Sequence, residues 1–152
     1  MGWIDLLKGK VVGFDTMPLI YYMEEHPIYL DIVDPFFDAI ENGEFTVITS
    51  TITLLEVLVH PIRNGDTKLA QKYRDLLLQP DGFIKMVPLS EEIAEEAARL
   101  RATSKIQTPD SIQMATAIKS NASFFLTNDK QLPSLPNLRM FKLNELAKED
   151  QE

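Results

Sequence analysis

The 152-residue sequence contains no cysteine, which removes a disulfide framework, a zinc–thiolate site and a cysteine nucleophile together. Long apolar runs are missing as well. None approaches the ~20 residues that a membrane-spanning helix requires, so no membrane association is expected. The opening Met1-Gly2-Trp3-Ile4-Asp5 carries an early acid and no apolar core, and is not expected to act as a secretory signal. Leu6 stands where a myristoylation signal needs Ser or Thr. A cytoplasmic protein is the resulting expectation. Positive charge is scarce: 15 Lys and Arg face 23 Asp and Glu, and the formal net charge of −8 argues against a simple nucleic-acid coat protein. From Glu24 to Glu44 there are seven acids and no Lys or Arg. Internal repeats, linkers and low-complexity stretches are also lacking, and the length is that of one domain with a substantial core.

What is present is an alternation of strands and helices. Lys10 to Phe14 reads as a short buried strand. Pro18 suits the first turn of a helix through about His26, and a second helix is expected from about Ile28 to Asn42, stopped by Gly43. Phe45 to Ile48 is a strand. Ser50 then caps a helix whose Ile52, Leu55, Val59 and Ile62 keep helical spacing and are expected to face inward, until Asn64-Gly65 ends it. Asp66 caps a further helix with Leu69, Tyr73, Leu76 and Leu77 on one face. Phe83 to Leu89 is a strand, and Ser90 opens a helix with the stripe Ile93, Ala97, Leu100. Thr108-Pro109-Asp110 starts another helix, with Thr108 as its cap. Ser123 to Thr127 is a strand, Leu138 to Phe141 a short edge strand, and a last helix covers about Asn144 to Lys148. Strands separated by helices predict a three-layer α/β/α domain over 1–152 with a central, mainly parallel sheet, and with 1–9 and 149–152 peripheral. Ile28, Tyr29, Phe36 and Phe37 read as core, although the same residues would suit a contact in a homodimer.

Four carboxylates stand at the edges of apolar segments. Asp15 closes Val11-Val12-Gly13-Phe14, Glu56 interrupts an apolar helix face, Asp110 opens a helix, and Asp129 follows Phe124-Phe125-Leu126-Thr127-Asn128. Taken singly, each has a bland alternative. Asp15 can cap the helix near Pro18, Asp110 can serve a helix start, Asn128-Asp129 can form a turn, and Glu56 can pair with a buried Arg. Taken together they fit a different account. Parallel sheets form ligand sites beyond the C-terminal ends of their strands, where helix N-termini also gather. Four carboxylates gathered there repel one another unless a cation joins them.

The segments Phe14-Asp15-Thr16 with Leu19-Ile20, Leu55-Glu56-Val57, Pro109-Asp110-Ser111-Ile112 with Ala115, and Thr127-Asn128-Asp129 resemble the four motifs of PIN-domain nucleases, the VapC-like ribonuclease toxins among them. The resemblance runs in order from Lys10 onward. It implies a parallel α/β sandwich, an acidic pocket for Mg²⁺ or Mn²⁺, and cleavage of RNA. By the same resemblance Asp15, Glu56, Asp110 and Asp129 are the catalytic and metal-coordinating acids, supported by Thr16, Thr127 and Asn128. Three departures stand out: Met17-Pro18 after the first motif, Asn128 where an Arg is also common, and about nine residues ahead of the first strand. None removes an acid.

Oxygen donors without His or Cys select Mg²⁺ or Mn²⁺ over zinc, and the expected chemistry is phosphodiester hydrolysis. The basic stretch Arg99, Arg101, Lys105 precedes Asp110 and reads first as a solvated helix face, with a contact to the RNA backbone kept open. Family analogy and small size add a small antitoxin protein as a partner. The competing reading is a catalytically silent PIN-like scaffold that binds protein or RNA, with the acidic Glu24–Glu44 stretch as its docking face. A haloacid-dehalogenase-type phosphotransferase needs a second Asp two residues after the first, and Met17 occupies that place. A receiver-type signalling domain fits the spacing poorly.

Overall fold

The computed structural model describes residues 2–150, with the side chains of 149 and 150 left out. The expectation for 151–152, and for the side chains of 149 and 150, therefore lies outside the described residues. A 3₁₀ turn over Trp3–Leu7 is followed by β1 (Val11–Phe14), α1 (Thr16–Met23), α2 (Leu30–Glu41), β2 (Thr46–Ser50), α3 (Thr51–Arg63) and α4 (Thr67–Leu77). Then come β3 (Ile84–Val87), α5 (Glu91–Thr103), α6 (Thr108–Lys119), β4 (Phe124–Thr127), β5 (Arg139–Lys142) and α7 (Leu143–Asp150). Ser50, Asp66 and Ser90 cap α3, α4 and α5, their side chains accepting from the N–H groups of Ile52, Leu69 and Ile93.

The five strands form one sheet in the order β3-β2-β1-β4-β5, every neighbouring pair parallel. Pleating sends alternate residues to opposite faces. Val12, Phe14, Val47 and Leu126 enter a core shared with α1, α2, α4 and α7, whereas Ile48 and Phe125 enter a second core with α5 and α6. The α/β/α sandwich and its parallel sheet are as expected from the sequence.

Gly13 shows how closely α6 lies on the sheet. A Cβ there would stand 2.8 Å from the Cβ of Ala117 and 3.0 Å from the ring of Phe125. Gly13→Ala is therefore expected to destabilise the fold by about 1–3 kcal/mol, read from the midpoint of urea unfolding.

Several local expectations change. The opening turn is not peripheral: Leu7 is fully buried and Trp3 stacks on Phe36 at 5.8 Å, so these residues seal one core. Helix α3 buries the face carrying Thr53, Val57 and Pro61, while Leu55, Val59 and Ile62 are 60%, 43% and 60% exposed. This helix is apolar on most sides, so spacing alone did not select the buried one. Phe36 and Phe37 are core residues, but Ile28 lies outside and exposed. Thr108 is the first residue of α6 rather than its cap, because its hydroxyl accepts from the Arg101 guanidinium and Gln107 holds the cap position.

Candidate active site

The sheet order reverses between β1 and β4, and the crevice beyond their C-terminal ends is where such sheets place ligands. Asp15 follows β1 directly. It holds the N-cap position of α1, yet its side chain makes no capping bond. One carboxylate oxygen, Oδ2, instead accepts a short bond from the Thr127 hydroxyl on β4, 2.5 Å away, and the other, Oδ1, is buried without a partner. A buried carboxylate oxygen left unpaired is costly, and its presence needs an explanation beyond helix capping.

Three carboxylates line one pocket of about 240 Å³, namely Asp15, Glu56 and Asp110, joined by Thr16, Met17, Ile20 and Gln113. Two larger hollows of about 530 and 500 Å³ lie beside the Trp3–Leu7 turn, and none of the four carboxylates lines either. Glu56 reaches the pocket from the exposed side of α3, where its Oε1 accepts from the Thr16 hydroxyl at 2.6 Å. Among the described residues no Lys or Arg forms an ion pair with it. Asp110 is half-buried in the first turn of α6, where the helix dipole favours a negative group.

Asp129 stands beside the pocket rather than in its wall. Its N–H donates to Thr127 Oγ1 and its Oδ1 accepts from the Gln131 N–H, a tight turn that seats the residue. Thr127 thus links Asp15 and Asp129 through one hydroxyl. Asn128 is turned away, its amide donating to the Tyr21 hydroxyl and its carbonyl oxygen accepting from the Asn144 N–H, so it braces α1 and the start of α7.

The charges feel one another. Burial, opposed by the Thr127 hydrogen bond and reinforced by Asp110, Asp129 and Glu56, lifts the Asp15 carboxyl from 3.8 to about 7. Burial first, then Asp129 and Glu56, raises Asp110 above the usual carboxylate range. Among the described residues no three acidic or histidine side chains already stand close enough to enclose an ion. The donor set nevertheless suits a hard divalent cation: carboxylate oxygens only, one of them buried and unpaired, in a pocket whose acids resist ionising together.

The basic trio lies outside the pocket wall. Arg99 pairs with Glu95 and Glu96 on its own helix, and Arg101 donates to the Ile106 carbonyl and Thr108 Oγ1, which steadies the approach to α6. Lys105 is exposed, with no acidic partner among the described residues. Sequence reasoning passed over Gln113, Thr53 and Thr49, which are buried under the pocket. The available signal was Gln113, a polar residue between Ile112 and Met114, one turn after Asp110.

The family model for the PIN domain matches residues 13–138. No curated protein matches the chain. Among solved structures, a toxin–antitoxin complex from Klebsiella pneumoniae has a chain similar to this one at 23% identity and TM-score 0.62, covering 84% of this chain and 94% of that one. VapBC2 from Rickettsia felis, bound to a DNA fragment from its promoter, is similar at 20% identity and TM-score 0.66, with coverage of 87% and 98%. DNA-bound VapBC from Salmonella typhimurium is similar at 16% identity and TM-score 0.59, with coverage of 89% and 98%. At these identities the likeness is one of fold.

Proposed function

Because this chain belongs to the PIN domain family, we propose that it is a metal-dependent endoribonuclease whose acidic pocket takes Mg²⁺ or Mn²⁺. The observation that carries this reading is the Asp15 carboxylate, buried, unpaired at Oδ1 and sharing a pocket with Glu56 and Asp110. Asp15, Glu56, Asp110 and Asp129 would hold the ion. When bound, a hard divalent cation supplies positive charge to the scissile phosphate and lowers the pKa of an attacking water.

The remaining roles belong to this chain's own groups. Thr127 holds Asp15 through Oδ2, and Oδ1 stays buried without a partner. Thr16 fixes the Glu56 carboxylate, which would otherwise swing in solvent on a flexible side chain. Asn128 serves as a brace between helices rather than as a phosphate contact. The test is incubation of the purified protein with a mixed RNA pool in Mn²⁺, with and without EDTA. Cleavage that EDTA abolishes is expected, and cleavage that EDTA leaves unchanged overturns the metal-dependent reading.

Of the three basic residues before Asp110, Lys105 is the one left without a local partner among the described residues and is assigned to the RNA backbone, since Arg99 and Arg101 are engaged locally. Lys105→Ala is expected to raise KM several-fold and to flatten the salt dependence of KM, while Mn²⁺ affinity stays at the parent value. An unchanged salt slope removes Lys105 from the RNA path.

The same proposal extends to partners and place: a cytoplasmic toxin held inactive by a small antitoxin, with a homodimer as its assembly. Supporting it are the exposed apolar strip Leu55, Val59, Ile62 on the helix that carries Glu56, and the toxin–antitoxin complexes in which the structural neighbours occur. Co-purification from the native host with a small protein is expected, and solitary elution counts against it. One observation favours the silent-scaffold alternative, namely that no three acids among the described residues yet enclose an ion site. Failure of millimolar Mn²⁺ to bind in calorimetry would decide for the scaffold.

A further inference from the structure

Beneath the acidic pocket runs a chain of buried hydrogen bonds that the proposed chemistry does not use. Thr49 Oγ1 donates to the Phe14 carbonyl at 2.9 Å, Thr53 Oγ1 lies 2.6 Å from Thr49 Oγ1, and Gln113 Nε2 donates to Thr53 Oγ1 at 2.8 Å. Gln113 Oε1 accepts from the Ser50 N–H at 3.3 Å, and that N–H, able only to donate, sets the orientation of the amide. The Thr49 proton is engaged by Phe14, so the Thr53 hydroxyl donates to Thr49. Every bond of the chain then points one way, from α6 through α3 and β2 to β1. Thr49, Thr53 and Gln113 are each no more than 2% exposed. A buried network of this kind is rigid when fully satisfied and destabilising when half satisfied.

Its attachment points are specific. Phe14 is the residue before Asp15, Thr53 lies three residues before Glu56, and Gln113 lies three residues after Asp110. A spacing of three puts residues on one helix face, about a turn apart. Three acids on three separate elements are thus suspended from one polar plug. Apolar packing between α3 and α6 would tolerate sliding, whereas a hydrogen bond demands a set distance and direction.

We propose that Gln113 and Thr53 are positioning residues: the bond between them sets how far Asp110 stands from Glu56 and Asp15, and so tunes the affinity of the pocket for a divalent cation. This inference rests on the ribonuclease reading. It concerns metal binding, so it can be tested without any substrate. Outer supports of metal ligands typically matter by about 10–100-fold in affinity.

The experiment is calorimetric titration of Mn²⁺ into the full chain, at a temperature where each variant's circular dichroism shows it folded. Gln113→Met and Thr53→Val are each expected to weaken Mn²⁺ binding about 10–100-fold. Thr53→Ser, which keeps the hydroxyl, is expected to bind as the parent does. The double variant should lose less than the sum of the two single losses, because either substitution removes the bond between Gln113 and Thr53. Gln113 itself lines the pocket, so the decisive variant is Thr53→Val, whose side chain does not. Parental Mn²⁺ affinity in Thr53→Val, or independent additive losses in the double variant, overturns the inference and leaves the ribonuclease reading standing. A parent protein that binds no Mn²⁺ overturns both. Should Gln113→Met fail to fold, Thr53→Val against Thr53→Ser decides alone.

Discussion

Asp110→Asn is expected to abolish RNA cleavage while the protein stays folded. The substitution keeps the shape of the side chain and its place in the first turn of α6, but removes the charge that a cation would need. The loss should exceed the about 10–100-fold that follows removal of an outer support of a metal ligand. Stability is not expected to fall. Burial and the nearby Asp129 and Glu56 already disfavour the ionised Asp110, so a neutral amide relieves repulsion. Activity and folding are thereby separated in one variant. Cleavage rates with Mn²⁺ and thermal unfolding of the same preparations provide the check. Parental cleavage by Asp110→Asn would remove this acid from the chemistry, and a collapsed fold would show that its role is structural.

Asp15→Asn should make the metal-free protein more stable at pH 8, with the advantage vanishing in acid. In the unfolded chain this carboxyl titrates near 3.8, and in the fold burial above all lifts it to about 7. The folded state therefore holds the proton more tightly. The group's contribution to stability is complete below pH 4 and is lost as pH rises through 7. The full shift corresponds to roughly 4 kcal/mol as an upper bound. An asparagine amide that lacks a partner at the Oδ1 position offsets about 1–3 kcal/mol of that. A net gain of about 1–3 kcal/mol at pH 8 in EDTA is the expected outcome, with parent and variant level between about pH 4.5 and 6. Added Mn²⁺ should reverse the order at pH 8, because only the parent gains stability by binding. Equal melting of the two proteins at pH 8 in EDTA would show that Asp15 is not held near neutrality.

Much of this is legible in the sequence. Short β-branched and apolar runs between capped helices specified a parallel sheet, since strands separated by helices are joined most simply as parallel neighbours. The caps at Ser50, Asp66 and Ser90 were readable because they depend on one local hydrogen bond each. Asp15 ends an apolar strand, Asp110 opens a helix, and Glu56 interrupts an apolar helix face that lies exposed; all three line one pocket. Helix α3 was misread for a physical reason. Its apolar residues surround most of the axis, so periodicity alone could not say that Thr53 and Val57 would be buried and Leu55 and Val59 exposed.

The sequence by itself determined the kinds of element, their order and the four carboxylates that open, interrupt or follow them, because these depend on short-range preferences and on the chemistry of single residues. Tertiary structure alone decided which atoms meet. Thr127 binds Asp15 across 112 positions of chain, Thr16 binds Glu56 across 40, and Gln113 binds Thr53 across 60. No local preference encodes such pairs. They arise when β1 pairs with β4 and when α3 and α6 dock on the sheet, and one buried oxygen of Asp15 is left without a partner. That unpaired oxygen separates a pocket suited to a cation from four acids that could each have been a cap, a turn or an ion pair.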